Sequence, residues 1–243
     1  MRTINHYHSP FLLGLTLRAA LWCCQRGQVM TNLQPALFDT MFNMRAMRRL
    51  KPDPVPADMV EQILRAGQAA PNGGNAQAWG FIVVEDPAIK KQIQTYYAKA
   101  YDELVGPHYA SIIENMDEGP DRDKFERQVA ATKHLTDHYH EAPLMIVACL
   151  NVGPNGANGG SGASIYPAVQ NMLLAARGLG LGATLTSRHM IFGKDVDKIL
   201  GLPSGIMSFA ILPIGYAEGN FGPVGRGPLK DIVHKDQWGQ GYF

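Results

Sequence analysis

Two periods of apolar positions organise this chain. Leu33–Met47 places Leu37, Met41 and Met44 at i, i+4 and i+7, the spacing of one helix face. A Pro-rich turn, Lys51–Pro56, stops that pattern, and Pro56 and Asp58 suit the start of a helix over Ala57–Ala69. Trp79–Val84 is aromatic and β-branched and predicts a buried strand. Asp86-Pro87 opens a helix over Ala88–Val105, Gly106–Asp121 reads as irregular and polar, and a helix over Arg122–His140 leads to the apolar strand Leu144–Leu150. A flexible Gly/Asn loop, Gly153–Gly162, precedes a helix over Ala163–Gly178 whose core face is Ile165, Val169, Met172 and Leu173. Strand Ala183–Ser187, helix Lys194–Leu200 and strand Ser208–Gly215 complete the pattern. No repeat or linker divides it, and strands separated by helices leave a parallel α/β arrangement open.

Composition narrows the classes. A hydrophobic share of 46% in 243 residues supports a sizeable core, and 18% charged residues is low for a disordered chain. A net charge of +1 gives no nucleic-acid footprint. Three cysteines, Cys23, Cys24 and Cys149, form neither a disulfide framework nor a metal-ligand spacing, which fits a reducing, cytoplasmic compartment.

The chemistry concentrates in Pro71–Gln77, which holds one Pro, two Gly, two Asn and one Gln. Gly and Asn tolerate positive φ, and Asn and Gln amides offer both donors and acceptors to a planar ligand edge. A surface turn before a strand is the plain alternative. Arg45, Arg48 and Arg49 form a basic cluster that reads as a solvated face or as forks for a phosphate dianion. Gly178–Ala183 imitates part of a dinucleotide fingerprint, but it runs from helix to strand and reads as a helix C-cap. The loop Gly153–Gly162 lacks the Lys-Ser/Thr ending of a phosphate loop and reads as linker or active-site rim. His134, His138 and His140 lack a completing Glu or Cys and read as solvated or capping rather than metal ligands.

The order RAMRRLKPDPVP, a helix, then APNGGNAQAWGFIVV resembles the FMN-dependent nitroreductase family. ALFDTMF before it, and QNMLLAARGLGLGATL, IGYAEG and GPLKDIVHKDQWG after it, extend the likeness from about Thr31 to Gly239. The resemblance implies an α+β sandwich with a mostly antiparallel sheet between helices. It also implies an intertwined homodimer whose C-terminal arm, Leu229–Phe243, wraps the partner. It implies FMN as cofactor, NAD(P)H as electron donor, and hydride transfer through flavin N5 to a small nitroaromatic or quinone acceptor by a ping-pong mechanism. Dehalogenation, flavin breakdown or desaturation on the same fold is the alternative, as is a flavin-binding protein without turnover. No nucleic acid, membrane partner, metal or dedicated catalytic side chain is expected.

Matching the family's pattern residue by residue assigns a site. Arg45, with Arg49 in the same cluster, falls near the FMN phosphate and ribityl, and Arg48 near the flavin pyrimidine. Asn72, Gly73, Asn75 and Gln77 match the loop against the isoalloxazine, donated from one subunit. Thr186 and Ser187 match the segment whose backbone faces flavin N5, and Arg226 a C-terminal basic residue on the phosphate. The sequence departs from the pattern at Met44, where many members carry a first Arg, at Asn72 for a common Ser, and at Ala78 for the usual Pro.

Residues 1–30 stand outside the matched core. Pro10–Trp22 is apolar but carries Arg18 and is too short to span a bilayer. It reads as an extension from an upstream start, with a weak membrane-surface anchor as the alternative. Deleting the residues before Met30 is expected to leave flavin content and melting temperature unchanged. Loss of bound FMN, or of several degrees, shows that the extension belongs to the folded core.

Overall fold

The computed structural model describes residues 36–243. The expectations for residues 1–30 lie outside the described residues. Helix α1 (36–43) is shorter than the pattern predicts and stops before Met44. It exposes Leu37, Phe38, Met41 and Phe42, with the Phe38 and Phe42 rings stacked at 6.0 Å. The chain divides at Phe42, and Asn43–Phe243 forms one compact unit.

Within that unit the segment 44–49 is extended, which corrects the helix predicted through Met47. Its backbone is spent on sheet-like pairing: Met47 N–H donates to the Ala183 carbonyl at 3.0 Å, and Lys51 N–H to the Tyr216 carbonyl at 2.8 Å. Glu218 N–H donates to the Arg49 carbonyl at 3.1 Å. Long-range backbone pairing of this kind overrides a local helical pattern.

Helix α2 (Ala57–Gln68) follows, then strand β1 (Trp79–Val84), helix α3 (Pro87–Ala100) and helix α4 (Gly106–Glu114). Between α3 and α4, Tyr101–Val105 is a π turn rather than continued α-helix. Helix α4 occupies ground read as irregular, a second correction, with Pro107 at its start as favoured in a first turn. Helix α5 (Pro120–Asp137), strand β2 (Leu144–Asn151), helix α6 (Ser161–Gly178) and strand β3 (Gly182–Ala183) come next. Helix α7 (Gly193–Ile199) and strand β4 (Ile206–Gly215) complete the core. The strand predicted over Ala183–Ser187 reduces to the two residues of β3 and a single bridge between Thr186 and Ile211.

The sheet has the order β1-β2-β4-β3 and every pairing is antiparallel. The α+β expectation holds and the parallel alternative falls. Seven consecutive residues of β2, Leu144–Leu150, are buried. A continuous apolar run is what a strand covered on both faces requires. Leu144, Ile146, Ala148 and Leu150 pack towards α2 and α6, while Met145, Val147 and Cys149 pack towards Ile93, Tyr97 and Val196. The register between β2 and β4 shifts after Ala148, leaving Phe209 as an extra residue. That bulge turns both Phe209 and Ala210 into the α2/α6 layer.

Helix α6 ends as expected of a C-cap. Gly180 takes φ +80°, and Leu181 N–H reaches back to the Ala176 carbonyl at 2.8 Å. No helix among the described residues is long and apolar enough to cross a membrane.

A polar triplet, with Ser208 and His189 buried and Asp197 half-buried, fixes α7 to β4. Ser208 Oγ donates to Asp197 Oδ1 at 2.5 Å, and His189 Nε2 lies 3.1 Å from the same hydroxyl. The hydroxyl has one proton, and the carboxylate takes it. His189 therefore donates from Nε2, which leaves Nδ1 a bare, buried acceptor without a partner among the described residues. These three residue types are those of a hydrolase triad, but here the serine's proton points at the aspartate and the histidine is fully buried, so they serve packing.

Burial holds the His189 imidazole neutral and pushes its pKa down from 6.5 to about 4. Between those values the unfolded chain binds a proton that the folded chain refuses, so stability rises with pH across that window and falls on acidification. The expected loss from this group by pH 4 is on the order of 3 kcal/mol. Denaturant unfolding from pH 7 to pH 4 measures it, and His189→Gln flattens that part of the profile.

Candidate active site

The sequence-predicted residues fall in two places. The first is the amide loop. Asn75 and Gln77 take φ +53° and +49°, and Gly74 takes +58°, so the chain folds back tightly between α2 and β1. Asn72 Oδ1 accepts from the Gln77 backbone N–H at 2.8 Å and staples the turn. Gly73 N–H donates to Ser164 Oγ at 3.2 Å and ties the loop to α6. Gly73, Asn75 and Gln77 stay exposed. Gln77 also borders a cavity of about 600 Å³ lined by α2 and by Trp79 and Phe81 of β1. The strand predicted as buried is the sheet edge, and Trp79 is only partly covered.

The second place surrounds the basic segment. Met47 is buried, Arg48 half-buried and Arg49 exposed, so burial falls along this strip. Arg48 lines a cavity of about 190 Å³ with Leu50, His134, Leu135, His138 and Glu218. No carboxylate among the described residues forms an ion pair with Arg48. Arg49 Nη1 lies 3.1 Å from His134 Nδ1. Burial, then Arg49 and His138, push the His134 pKa down, so the ring is neutral and accepts that hydrogen bond. His138 pairs with Glu141 at 3.0 Å. Among the described residues no group of three His, Cys, Asp or Glu side chains could hold a metal ion.

Thr186 and Ser187 differ in what they leave free. Thr186 N–H and C=O both bond Ile211, and its hydroxyl donates to the Ile211 carbonyl at 2.7 Å. Tyr139, fully buried, lies 2.6 Å from that hydroxyl and must therefore be the donor. Its phenol is held neutral, with burial as the main cause and the nearby Tyr97 adding to it. Thr186 is thus a structural anchor, and Ser187 is the exposed member of the pair. Arg45 is exposed, and Arg226 is also exposed with its guanidinium on the neighbouring Gly225 carbonyl. Among the described residues Arg226 shares no hydrogen bond or ion pair with the basic segment.

Sequence reasoning missed the aromatic shelf that joins the second group. Tyr97 and Tyr139 stack at 4.0 Å with their planes 9° apart. Arg188 caps the stack, its guanidinium carbon 4.3 Å from the Tyr97 ring centre and 5.0 Å from that of Tyr101. Lys133 reaches within 5.8 Å of the Tyr101 ring. Burial pushes the Tyr97 phenol up, while the positive charges of Arg188 and Arg48 pull it down. The i, i+4 spacing of Tyr97 and Tyr101 was a legible signal, but Tyr139 and Arg188 arrive from distant segments.

This geometry accompanies consistent likenesses. The chain is 28% identical over 198 residues to an iodotyrosine deiodinase of Thermotoga neapolitana, covering 81% of this chain and 95% of that protein. It is 26% identical over 204 residues to an NADPH-dependent oxidoreductase of Staphylococcus epidermidis, covering 83% and 74%. Against the iodotyrosine deiodinase 1 sequences of rat and mouse it spans 61% of their length. A crystal structure of oxidized iodotyrosine deiodinase bound to FMN and 3-iodo-L-tyrosine superposes with a TM-score of 0.62 at 24% identity, covering 83% of this chain and 98% of that one. A sequence profile of the nitroreductase family matches residues 43–216, most of the chain, and the protein belongs to that family.

Proposed function

We propose that this chain is an FMN-dependent oxidoreductase that takes electrons from NAD(P)H and delivers them to nitroaromatic or quinone acceptors. The observation that carries the reading is Arg48: a half-buried guanidinium on a small cavity, without a carboxylate pair among the described residues. Such a cation suits the pyrimidine edge of a flavin, where positive charge stabilises the reduced anionic ring. The donor chemistry of the remaining residues fits the same group. Arg45 and Arg226 are exposed forks for its phosphate, and Ser187 is free to face the ring. Arg49 is the weakest member, because His134 already engages its guanidinium. FMN, when bound, would supply the hydride-accepting centre.

The amide loop is tied to α6, with contacts that do not reach Arg48. A homodimer resolves this, with Asn72, Gly73, Asn75 and Gln77 of a second copy completing the cleft. The exposed tail supports that arrangement: Ile232, Trp238 and Phe243 are each at least 70% exposed and need a cover. A cytoplasmic setting suits Cys149, whose thiol burial pushes up to about 12 and leaves inert.

Reductive dehalogenation of a halogenated aromatic is the second reading, favoured by the likeness to the Thermotoga neapolitana iodotyrosine deiodinase over 95% of its length. One experiment separates the two. The purified yellow protein is bleached anaerobically, then offered a nitro compound, a quinone or 3-iodotyrosine. Re-oxidation by the first two supports the proposal. Re-oxidation by iodotyrosine alone supports the second reading, and a yellow protein that NAD(P)H cannot bleach is a binder or uses another donor.

Replacing Arg48 with Ala is expected to weaken FMN binding by about 1.5–3 kcal/mol, the range of a charge-assisted hydrogen bond. The flavin potential should fall as well. Fluorescence titration and equilibrium photoreduction read both, and no change in either identifies Arg48 as a solvated side chain.

A single cleft serving donor and acceptor in turn predicts ping-pong kinetics. Double-reciprocal plots at several fixed acceptor concentrations should be parallel. Intersecting lines with a trappable ternary complex require a second nucleotide site.

A further inference from the structure

Arg188 is more constrained than a surface arginine and less satisfied than a buried one. Its guanidinium lies over Tyr97 at 4.3 Å and Tyr101 at 5.0 Å, and Tyr97 is in turn stacked on Tyr139. One nitrogen, Nη1, donates to Thr136 Oγ1 at 2.7 Å. That bond and the two rings fix the plane of the fork, so little rotamer entropy remains to be lost on binding. Nε and Nη2 make no hydrogen bond within the described chain, yet neither is sealed from solvent. No carboxylate among the described residues pairs with the group. The cation next along the shelf, Lys133, is already neutralised by Asp137 at 2.5 Å.

A half-buried guanidinium held flat by aromatic rings, with an open donor edge, is a receptor for a planar oxyanion. It directly follows Ser187, the exposed residue assigned to the flavin cleft, and its charge, like that of Arg48, acts on the Tyr97 phenol. We infer that Arg188 selects the acceptor: it binds the carboxylate of an aromatic acid whose ring enters the cleft, so the preferred substrates are anionic nitroaromatics or quinones. This rests on the oxidoreductase reading above. The Tyr101 ring, on the π turn, lies 5.0 Å from the same guanidinium and helps to hold the fork in place for the carboxylate. π turns inside helices frequently mark functional positions.

The test compares 4-nitrobenzoate with the neutral 4-nitrobenzyl alcohol, using the FMN-loaded protein in wild-type, Arg188→Gln and Arg188→Lys forms. The readout is the ratio of kcat/KM for the charged to the neutral acceptor. Arg188→Gln should lower that ratio about tenfold to a hundredfold, the effect of one charge-assisted pair, and Arg188→Lys should restore part of it. An unchanged ratio, with both acceptors losing equally, overturns the inference in favour of a packing role. A loss confined to FMN affinity, or to the KM of NAD(P)H, overturns it in favour of a cofactor or donor contact. If the wild-type protein reduces neither acceptor, the oxidoreductase reading fails separately. Calorimetric titration of the two compounds into wild-type and Arg188→Gln protein then decides the point. Equal affinity for the charged and neutral ligands, or no effect of the substitution on nitrobenzoate binding, overturns the inference.

Discussion

Every other feature of this protein hangs on the antiparallel pairing of β2 with β4. Residues 144–151 and 206–214 pair along their whole length, and helices cover both faces. Burying a strand on both sides removes its amides from water, so each must find a partner in the ladder. The pair is therefore rigid, and elements attached to its ends inherit that rigidity. The Thr186 backbone bonds Ile211 in both directions, which carries the pairing into the segment Ser187–Arg188. Further along the same edge, β3 and the chain after β4 hold the strip that presents Arg48 and Arg49.

That attachment explains how a polar site coexists with a large apolar core. Tyr139 donates to Thr186, Thr186 donates to Ile211, and Tyr97 stacks on Tyr139. The stack begins in the core with a phenol at 0% exposure and ends at the surface with the Arg188 guanidinium. A cation above a partly desolvated ring is attracted by the ring quadrupole more strongly than one in free water. The shelf can thus hold a positive charge close to the core without a carboxylate beside it, and a charge left uncompensated is one that a ligand can use.

Much of this was legible locally. The core face of α6, the run of β2, the Gly180 cap and the amide loop each follow from residues close in sequence, because periodicity and turn chemistry act over a few residues. The segment after α1 was misread for the converse reason. Met41 and Met44 continue a helical spacing, but the amides of Met47 and Lys51 are claimed by β3 and by the chain after β4. Helix α4 was hidden because it has no fully buried residue, so its pattern carries no core stripe.

The sequence by itself determined the helix and strand content of the core, its apolar faces, the basic cluster at Arg45–Arg49 and the family resemblance, since each is written in neighbouring residues. Only the tertiary structure decided that Thr186 is an anchor and Ser187 the free residue, that His134 rather than a ligand occupies Arg49, and that Arg188 lies on Tyr97. Those outcomes depend on contacts between segments 25 to 91 residues apart, from Thr186 with Ile211 to Tyr97 with Arg188. Such contacts are set by which faces of a folded sheet and its helices meet, and no local spacing encodes that.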